Sequence, residues 1–273
     1  MYKLTIKLLL LGLAIALVSP TGFAQWEILP RPHDDWQTFQ TEHFNVHFTP
    51  ETEEWTRITV TRMESIHEAV TAFVGYYEIS EPMDVFVMDP MGAPNGMAIP
   101  VGTTPRIILW PNAPVNPLML GGLETWNEIV TAHEYVHAVH LSRQSRNWKD
   151  RINSILLPVN AISLKLPLWA VEGLAVHAES ELTGYGRSQS SLRSMVLCQL
   201  ALEGKLPEFR ELNGTEDWMG GRYPYLVGSA FLEWLKERHE NDDCLLHLWK
   251  RVTAKKERSF QEAFKGVFQD DPE

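Results

Sequence analysis

The sequence predicts an α+β fold in which an N-terminal mixed sheet lobe precedes a mostly helical C-terminal lobe. Two observations predict this fold class. Short alternating or apolar runs, typical of strands, fall within the first 120 residues. From Thr125 almost to the end of the chain, apolar residues recur at helical spacing instead. We find no internal repeat and no low-complexity segment, so one large domain is expected after a short leader.

The elements of the sheet lobe, about residues 36–120, follow from local patterns. Phe44 to Phe48 alternates between apolar and polar residues, as a half-buried strand does. Pro50 and the acidic residues after it open a helix that we expect to run to about Tyr77. Further strands are predicted at 84–88, 96–100 and 106–110.

The helical lobe is expected to span about residues 166–268. Before it, Thr125 and Glu128 form a capping-box pair that opens the helix 125–141, which carries the central motif. Apolar periodicity predicts the later helices at 166–181, 190–203, 225–239, 244–253 and 260–268.

The first 24 residues have the three parts of a secretory signal peptide. Lys3 and Lys7 give a positive start, Leu8 to Val18 an apolar run, and Gly22 to Ala24 a small-residue cleavage site. An uncleaved membrane anchor is the alternative, but the apolar run is short for a bilayer span. We therefore expect residues 25–273 to be exported, periplasmic or extracellular, without stable membrane insertion.

The charge balance limits the binding partners that we expect, and the cysteine content limits the possible disulfides. The chain has 24 basic and 35 acidic residues, a net charge of −11. Phosphate binding needs clustered cations, so this balance disfavours nucleic acid and an anionic membrane surface. Cys198 and Cys244 form either a disulfide or two buried free thiols, and the sequence leaves both alternatives open.

The motif with the most chemical content is His133-Glu134-Tyr135-Val136-His137, an H-E-x-x-H pentapeptide. Histidines four residues apart leave the same face of a helix, so both imidazoles can bind one zinc ion. Glu134 flanks that face and can act as the general base on a bound water. The alternative is a surface helix whose two histidines are hydrogen-bonded to water or to neighbouring residues. The apolar neighbours indicate instead that this helix is buried, and polar residues on a buried helix need binding partners.

A zinc site of this kind needs a third protein ligand. Glu172 is the candidate, because it lies in the largely apolar run Trp169 to Ala175; a solvated helix acid is the alternative. His140 lies about 10 Å along the helix axis from His133, too far to share an ion, so we expect a supporting or surface group. Glu179 either orients a ligand or is a surface acid.

These motifs resemble a known family. His133 to His137 and Trp169 to Ala175 are similar to the two motifs of gluzincin metallopeptidases. The chain from Trp36 to Phe268 resembles the peptidase-MA-like domains that precede TolB-type β-propellers in exported bacterial proteins. The resemblance implies a thermolysin-like fold, one zinc ion and a β-propeller partner. It also implies that Tyr225 donates a hydrogen bond to the oxyanion, with a packing role as the alternative and Tyr223 as its nearest rival.

The predicted function is a zinc-dependent peptidase, an endopeptidase acting on peptide or protein substrates. His133, His137 and Glu172 would hold zinc, while Glu134 and Tyr225 would be catalytic. Two other functions fit the same residues: a non-catalytic zinc-stabilised binding or assembly module, and a zinc amidase acting on a non-peptide substrate. The strand at 96–100 could bind an extended peptide by edge pairing.

Overall fold

The structure is a computed structural model that describes residues 30–79, 82–89, 92–100, 104–115, 125–156, 160–216 and 220–270. The predicted signal peptide, residues 1–24, lies outside these described residues. The chain divides into two compact units, Met1–Asp35 and Trp36–Glu273. Only residues 30–35 of the first unit are described, and all the strands and helices below belong to the second.

Five strands of the described residues form one mixed sheet in the order β1-β2-β3-β5-β4. They are β1 (Gln37–Gln40), β2 (Phe44–Phe48), β3 (Met83–Val87), β4 (Gly96–Ile99) and β5 (Arg106–Leu109). β2, β3 and β5 are parallel, whereas β1 and β4 pair antiparallel at the two edges. In β2 and β3 the alternating residues are buried, since one face of the sheet packs on the core.

Nine helices are found in the described residues. They are α1 (Glu53–Val74), α2 (Trp126–Leu141), α3 (Trp148–Leu156), α4 (Ala161–Lys165), α5 (Leu168–Thr183), α6 (Ser191–Leu202), α7 (Tyr223–His239), α8 (Cys244–Val252) and α9 (Phe260–Phe268). Within the described part of the chain, none of these helices combines the length and the apolar character needed to cross a membrane.

Helix α2 lies at the centre of the packing. It contacts α1 and α5 as well as strands β4 and β5, and every residue from Ile129 to His140 is buried. The polar stripe of this helix therefore faces protein rather than bulk solvent.

Helices α5 and α7 approach each other closely at two glycines. A Cβ at Gly173 would lie 2.7 Å from the carbonyl carbon of Gly228, and a Cβ at Gly228 would lie 2.8 Å from the carbonyl oxygen of Trp169. Neither backbone can move away easily, so only glycine fits at this crossing. The crossing sets the spacing between Glu172 on α5 and Tyr225 on α7.

The α+β prediction is confirmed, because a mixed sheet of five described strands is followed by helices. The predicted strands and helices are present and differ only at their ends. β1, α3 and α4 were not predicted. Cys198 and Cys244 are both free, so they form no disulfide; Cys198 is exposed, which makes the expectation of two buried thiols wrong for that residue.

Candidate metal centre

Two histidines of α2 and one glutamate of α5 converge in a cleft. The Nε2 atoms of His133 and His137 are 3.2 Å apart. Oε2 of Glu172 lies 3.2 Å from Nε2 of His137 and 3.5 Å from Nε2 of His133. One potential ligand atom from each residue lies within 4.8 Å of the others, so the three could hold one metal ion. The structure thus brings together the three residues that the sequence predicts as ligands.

The donor chemistry of this cluster fits a divalent ion. Two imidazole nitrogens and a carboxylate oxygen form the His₂Glu set that zinc accepts. Oε2 of Glu172 is buried, and no hydrogen-bond partner is assigned to it among the described residues. An unsatisfied buried carboxylate oxygen is costly. A metal ion would supply the missing partner.

The electrostatics of the cluster also favour a cation. Burial alone would raise the pKa of Glu172, but His133 and His137 beside it hold that pKa well below its usual range. Burial and the nearby Arg187 guanidinium lower the pKa of His133, yet Glu172, Glu179 and Glu134 outweigh them and raise it to about 9. Positive charge is therefore stabilised at the point where the ligand atoms meet.

Glu179 fixes the orientation of His133. It is fully buried, and its Oε2 lies 3.0 Å from Nδ1 of His133. In the neutral ring, Nδ1–H donates to Glu179 and the lone pair of Nε2 is left to face Glu172. Glu179 was expected either to orient a ligand or to be a surface acid. Its burial and its contact with His133 support the first role.

Arg187 holds Glu179 in turn. Its backbone amide and Nε donate to Oε1 of Glu179 at 2.8 and 2.9 Å, and its Nη2 donates to Oε2 at 2.9 Å. Nη2 also lies 2.9 Å from Nδ1 of His133, but both nitrogens carry hydrogens in this tautomer, so we assign the bonds to the carboxylate. Burial would raise the pKa of Glu179, whereas Arg187 and His133 hold it at about 2.

Sequence reasoning missed the role of Arg187. Gly186 precedes it with φ of 111°, and a Cβ there would lie 2.8 Å from Cγ of Glu179. The glycine therefore lets the chain turn back onto the helix that it has just left. The Gly184 to Arg187 stretch marks this turn in the sequence, but nothing in the pattern shows that the arginine reaches His133.

The cluster opens into a cavity of about 490 Å³. Glu134 lines it, and a Cβ at Gly96 would lie only 2.5 Å from Cγ of Glu134, so the glutamate packs against the edge strand β4. Trp126, Ile129 and Val130 from the first turns of α2 form an apolar wall beside it.

Tyr225 lies in the wall of this cavity, whereas Tyr223 is buried in the core and is not among the described lining residues. The Arg187 guanidinium lies 5.0 Å from the centre of the Tyr225 ring, within the range of a cation–π contact. Burial and the negative charge of Glu172 raise the pKa of Tyr225 to about 12. Its phenol therefore stays protonated near neutral pH and can donate a hydrogen bond.

His140 differs from its prediction. It is fully buried, its ring lies 4.5 Å from that of Trp249, and neither ring nitrogen has a partner among the described residues. Burial holds the pKa of His140 well below its usual value, so the ring is neutral. The expectation of a supporting or surface group is wrong, because this histidine packs in the core behind the cluster.

Comparison with solved structures finds weak structural similarity. The chain is similar to a solved structure of native yeast LTA4 hydrolase, with 15% sequence identity and a TM-score of 0.48. The match covers 88% of this chain and 37% of that one, so this chain spans little more than a third of the length of that hydrolase. No protein-family model matches the sequence, and neither does any curated protein.

Proposed function

We propose that this chain is a zinc-dependent endopeptidase. The observation that carries the proposal is the convergence of His133, His137 and Glu172 in an open cavity that Glu134 also lines. A zinc ion held by the three ligand atoms would polarise the scissile carbonyl and lower the pKa of a water molecule.

Glu134 is assigned as the general base. Its side chain is nearly buried, faces the cavity and packs on the backbone of Gly96. A carboxylate fixed in this way can take a proton from the attacking water and pass it to the leaving amine. Glu134 follows His133 directly on α2, so it lies beside the metal ligands without being one of them.

Tyr225 is assigned as the hydrogen-bond donor to the carbonyl oxygen of the substrate. Its protonated phenol would donate a hydrogen bond to the negative charge that develops there. Arg187 packs over the ring and is itself held by Glu179, so the phenol and His133 are positioned by the same pair of residues.

The edge strand β4 supports a peptide as the substrate. It pairs only with β5 among the described strands, and Gly96, Met97 and Ala98 line the cavity. An extended peptide could add to this edge through main-chain hydrogen bonds, with an apolar side chain against the wall formed by α2. Residues 94–99 contain no acidic side chain to bind a free amino terminus, which supports an endopeptidase. The leader segment further supports a peptidase that acts outside the cytoplasm.

The test measures bound zinc and cleavage of casein and of a quenched peptide library. We expect Glu134→Gln to keep its zinc and to lose about 10²–10⁴-fold in cleavage rate. Glu172→Gln should lose zinc and cleavage together, because it removes a charged ligand. The matched control is Glu181→Gln, an exposed glutamate on the same helix, which should change neither quantity.

Full activity of Glu134→Gln would refute the mechanism. Zinc bound by the wild-type chain without cleavage of any peptide would favour the non-catalytic module or the amidase instead. Circular dichroism of each variant establishes that the fold is retained.

A further inference from the structure

A second cavity, of about 490 Å³, lies at helices α7, α8 and α9 and shares no described lining residue with the metal centre. Six basic or imidazole side chains line it: Arg146, His239, His247, Lys250, Arg251 and Arg258. No aspartate or glutamate is among its described lining residues. Such clustering is unexpected in a chain with a net charge of −11, because like charges repel one another.

Three acids close in sequence to these cations form ion pairs with other residues. Glu257 pairs with Lys149, Asp242 with Lys236, and Asp270 with Arg238. Two guanidinium groups of the cavity donate to backbone carbonyls instead, Arg146 to Lys250 at 3.1 Å and Arg258 to Lys256 at 3.2 Å. These bonds orient the guanidinium groups but leave their charge without a counter-charge.

Arg251 gives the clearest sign of a missing partner. Its Nε is buried and has no hydrogen-bond acceptor among the described residues, and Nε2 of His239 is likewise buried without a partner. A Cβ at Gly266 would collide with the Arg251 guanidinium, so this group lies directly against the backbone of α9. An enclosed guanidinium without an acidic partner is costly, and an anion in the cavity would offset its charge.

We propose that this cavity binds a phosphate-type anion, either a soluble phosphorylated compound or the headgroup of an anionic phospholipid. Guanidinium groups suit phosphate because they donate paired hydrogen bonds to its oxygens while carrying the opposite charge. The site is independent of the proposed peptidase activity, and its test does not require turnover.

Helix α3 is the reason to include a phospholipid among the sources. It begins two residues after Arg146, and it is tied to the loop after α8 by a hydrogen bond from Asn147 to the carbonyl of Lys255 at 2.9 Å. Its apolar residues point outwards: Trp148 is 66% exposed and Ile155 84% exposed. An exposed apolar helix face beside cations is the arrangement of helices that lie in a bilayer surface.

Helix α3 is also held in this orientation by its polar side. Asp150 is buried, and it accepts hydrogen bonds from Nζ of Lys165 at 2.5 Å and from Oγ of Ser145 at 2.7 Å. The exposed apolar face is therefore fixed by a buried ion pair.

The experiment titrates the full chain with inorganic phosphate and inorganic pyrophosphate by calorimetry. It also sediments the chain with vesicles of phosphatidylglycerol, and with phosphatidylcholine vesicles for comparison. We expect binding of at least one anionic probe, weakened about 10-fold or more in the double variant Arg251→Ala/Arg258→Ala. The control Lys205→Ala/Arg210→Ala removes the same charge at exposed positions outside the cavity and should bind as the wild type does.

Two further variants make the outcome decisive. Gly266→Ala displaces the Arg251 guanidinium without changing the charge, and we expect it to weaken binding. If the ligand is a phospholipid headgroup, Ile155→Ser/Leu156→Ser should weaken binding to vesicles but leave the binding of phosphate and pyrophosphate unchanged. If the ligand is a soluble compound, this variant should change neither kind of binding. Either result supports the site. Absence of binding of every anionic probe at millimolar concentration, or equal weakening in the two charge-removing double variants, would overturn it.

Discussion

Replacing Glu179 by glutamine tests whether this buried residue organises the metal centre. The change keeps the size of the side chain but removes the negative charge that Arg187 and His133 share. The largely enclosed guanidinium of Arg187 would then lose the carboxylate that neutralises it. Both the stability of the metal-free protein and its affinity for zinc should fall.

The size of the stability loss follows from the pKa of Glu179. A pKa of about 2, against the ordinary value of 4.5, corresponds to about 3 kcal/mol of stabilisation of the charged form. Breaking a buried ion pair by removing one partner costs about 3–5 kcal/mol, which is the same range. Because the pKa is lower in the folded state, this stability is present above pH 4.5 and is lost as the pH falls through 2.

The effect on zinc is separate. Residues that hydrogen-bond a metal-ligating histidine contribute about 10–100-fold in metal affinity. We therefore expect Glu179→Gln to lose about 3 kcal/mol in the free energy of unfolding at pH 7 and to bind zinc about 10–100-fold more weakly.

Urea unfolding in the presence of a chelator measures the free energy of unfolding of the metal-free protein. Competition with a chromophoric zinc chelator measures the affinity for zinc. Glu181→Gln on the exposed face of α5 is the control for helix and charge effects. If Glu179→Gln unfolded within about 1 kcal/mol of the wild type and bound zinc equally well, the assigned role of the carboxylate would be wrong.

Three other predictions concern the α5–α7 crossing, the carboxylate of Glu233 and the two cysteines. Gly173→Ala should destabilise the protein by about 1–3 kcal/mol in thermal unfolding, because its Cβ meets rigid backbone, whereas Gly221→Ala, with open space around it, should not. Glu233→Gln should lower the unfolding free energy at pH 7 by about 1–3 kcal/mol; burial raises the pKa of that carboxyl, but His177, Ser188 and Arg193 hold it at about 2. The difference from wild type should shrink between pH 4.5 and 2 as the carboxylate becomes protonated, and an unchanged difference would contradict this. A thiol reagent should modify Cys198 in the native protein and Cys244 only after unfolding, and fast reaction of both would contradict the buried position of Cys244.

Much of the metal centre could be predicted because its chemistry is local in sequence. The spacing of His133 and His137 places two rings on one helix face, whatever surrounds the helix. Glu172 was identified because a carboxylate in an apolar run needs a partner. The distance between Glu172 and the imidazoles depends on the α5–α2 packing, and no local pattern encodes it.

The elements and the residue position that the sequence failed to predict have different physical causes. Helix α3 was not predicted because its pattern is reversed, with Asp150 inside and apolar residues outside. β1 is short and mostly exposed, so its residues carry little alternation. His140 was expected outside the core because histidine is polar, but the neutral ring packs at a tilt against Trp249 in apolar surroundings.

The complete burial of α2 has a consequence for how the protein assembles. Residues 129–140 of this helix are all buried, and water reaches them mainly through the cavity of the metal centre. Its β-branched residues, among them Val130, Thr131 and Val136, also lower its propensity to form alone. We therefore expect α2 to become ordered together with its neighbours, late in folding, so that metal captures a chain that has already collapsed around it.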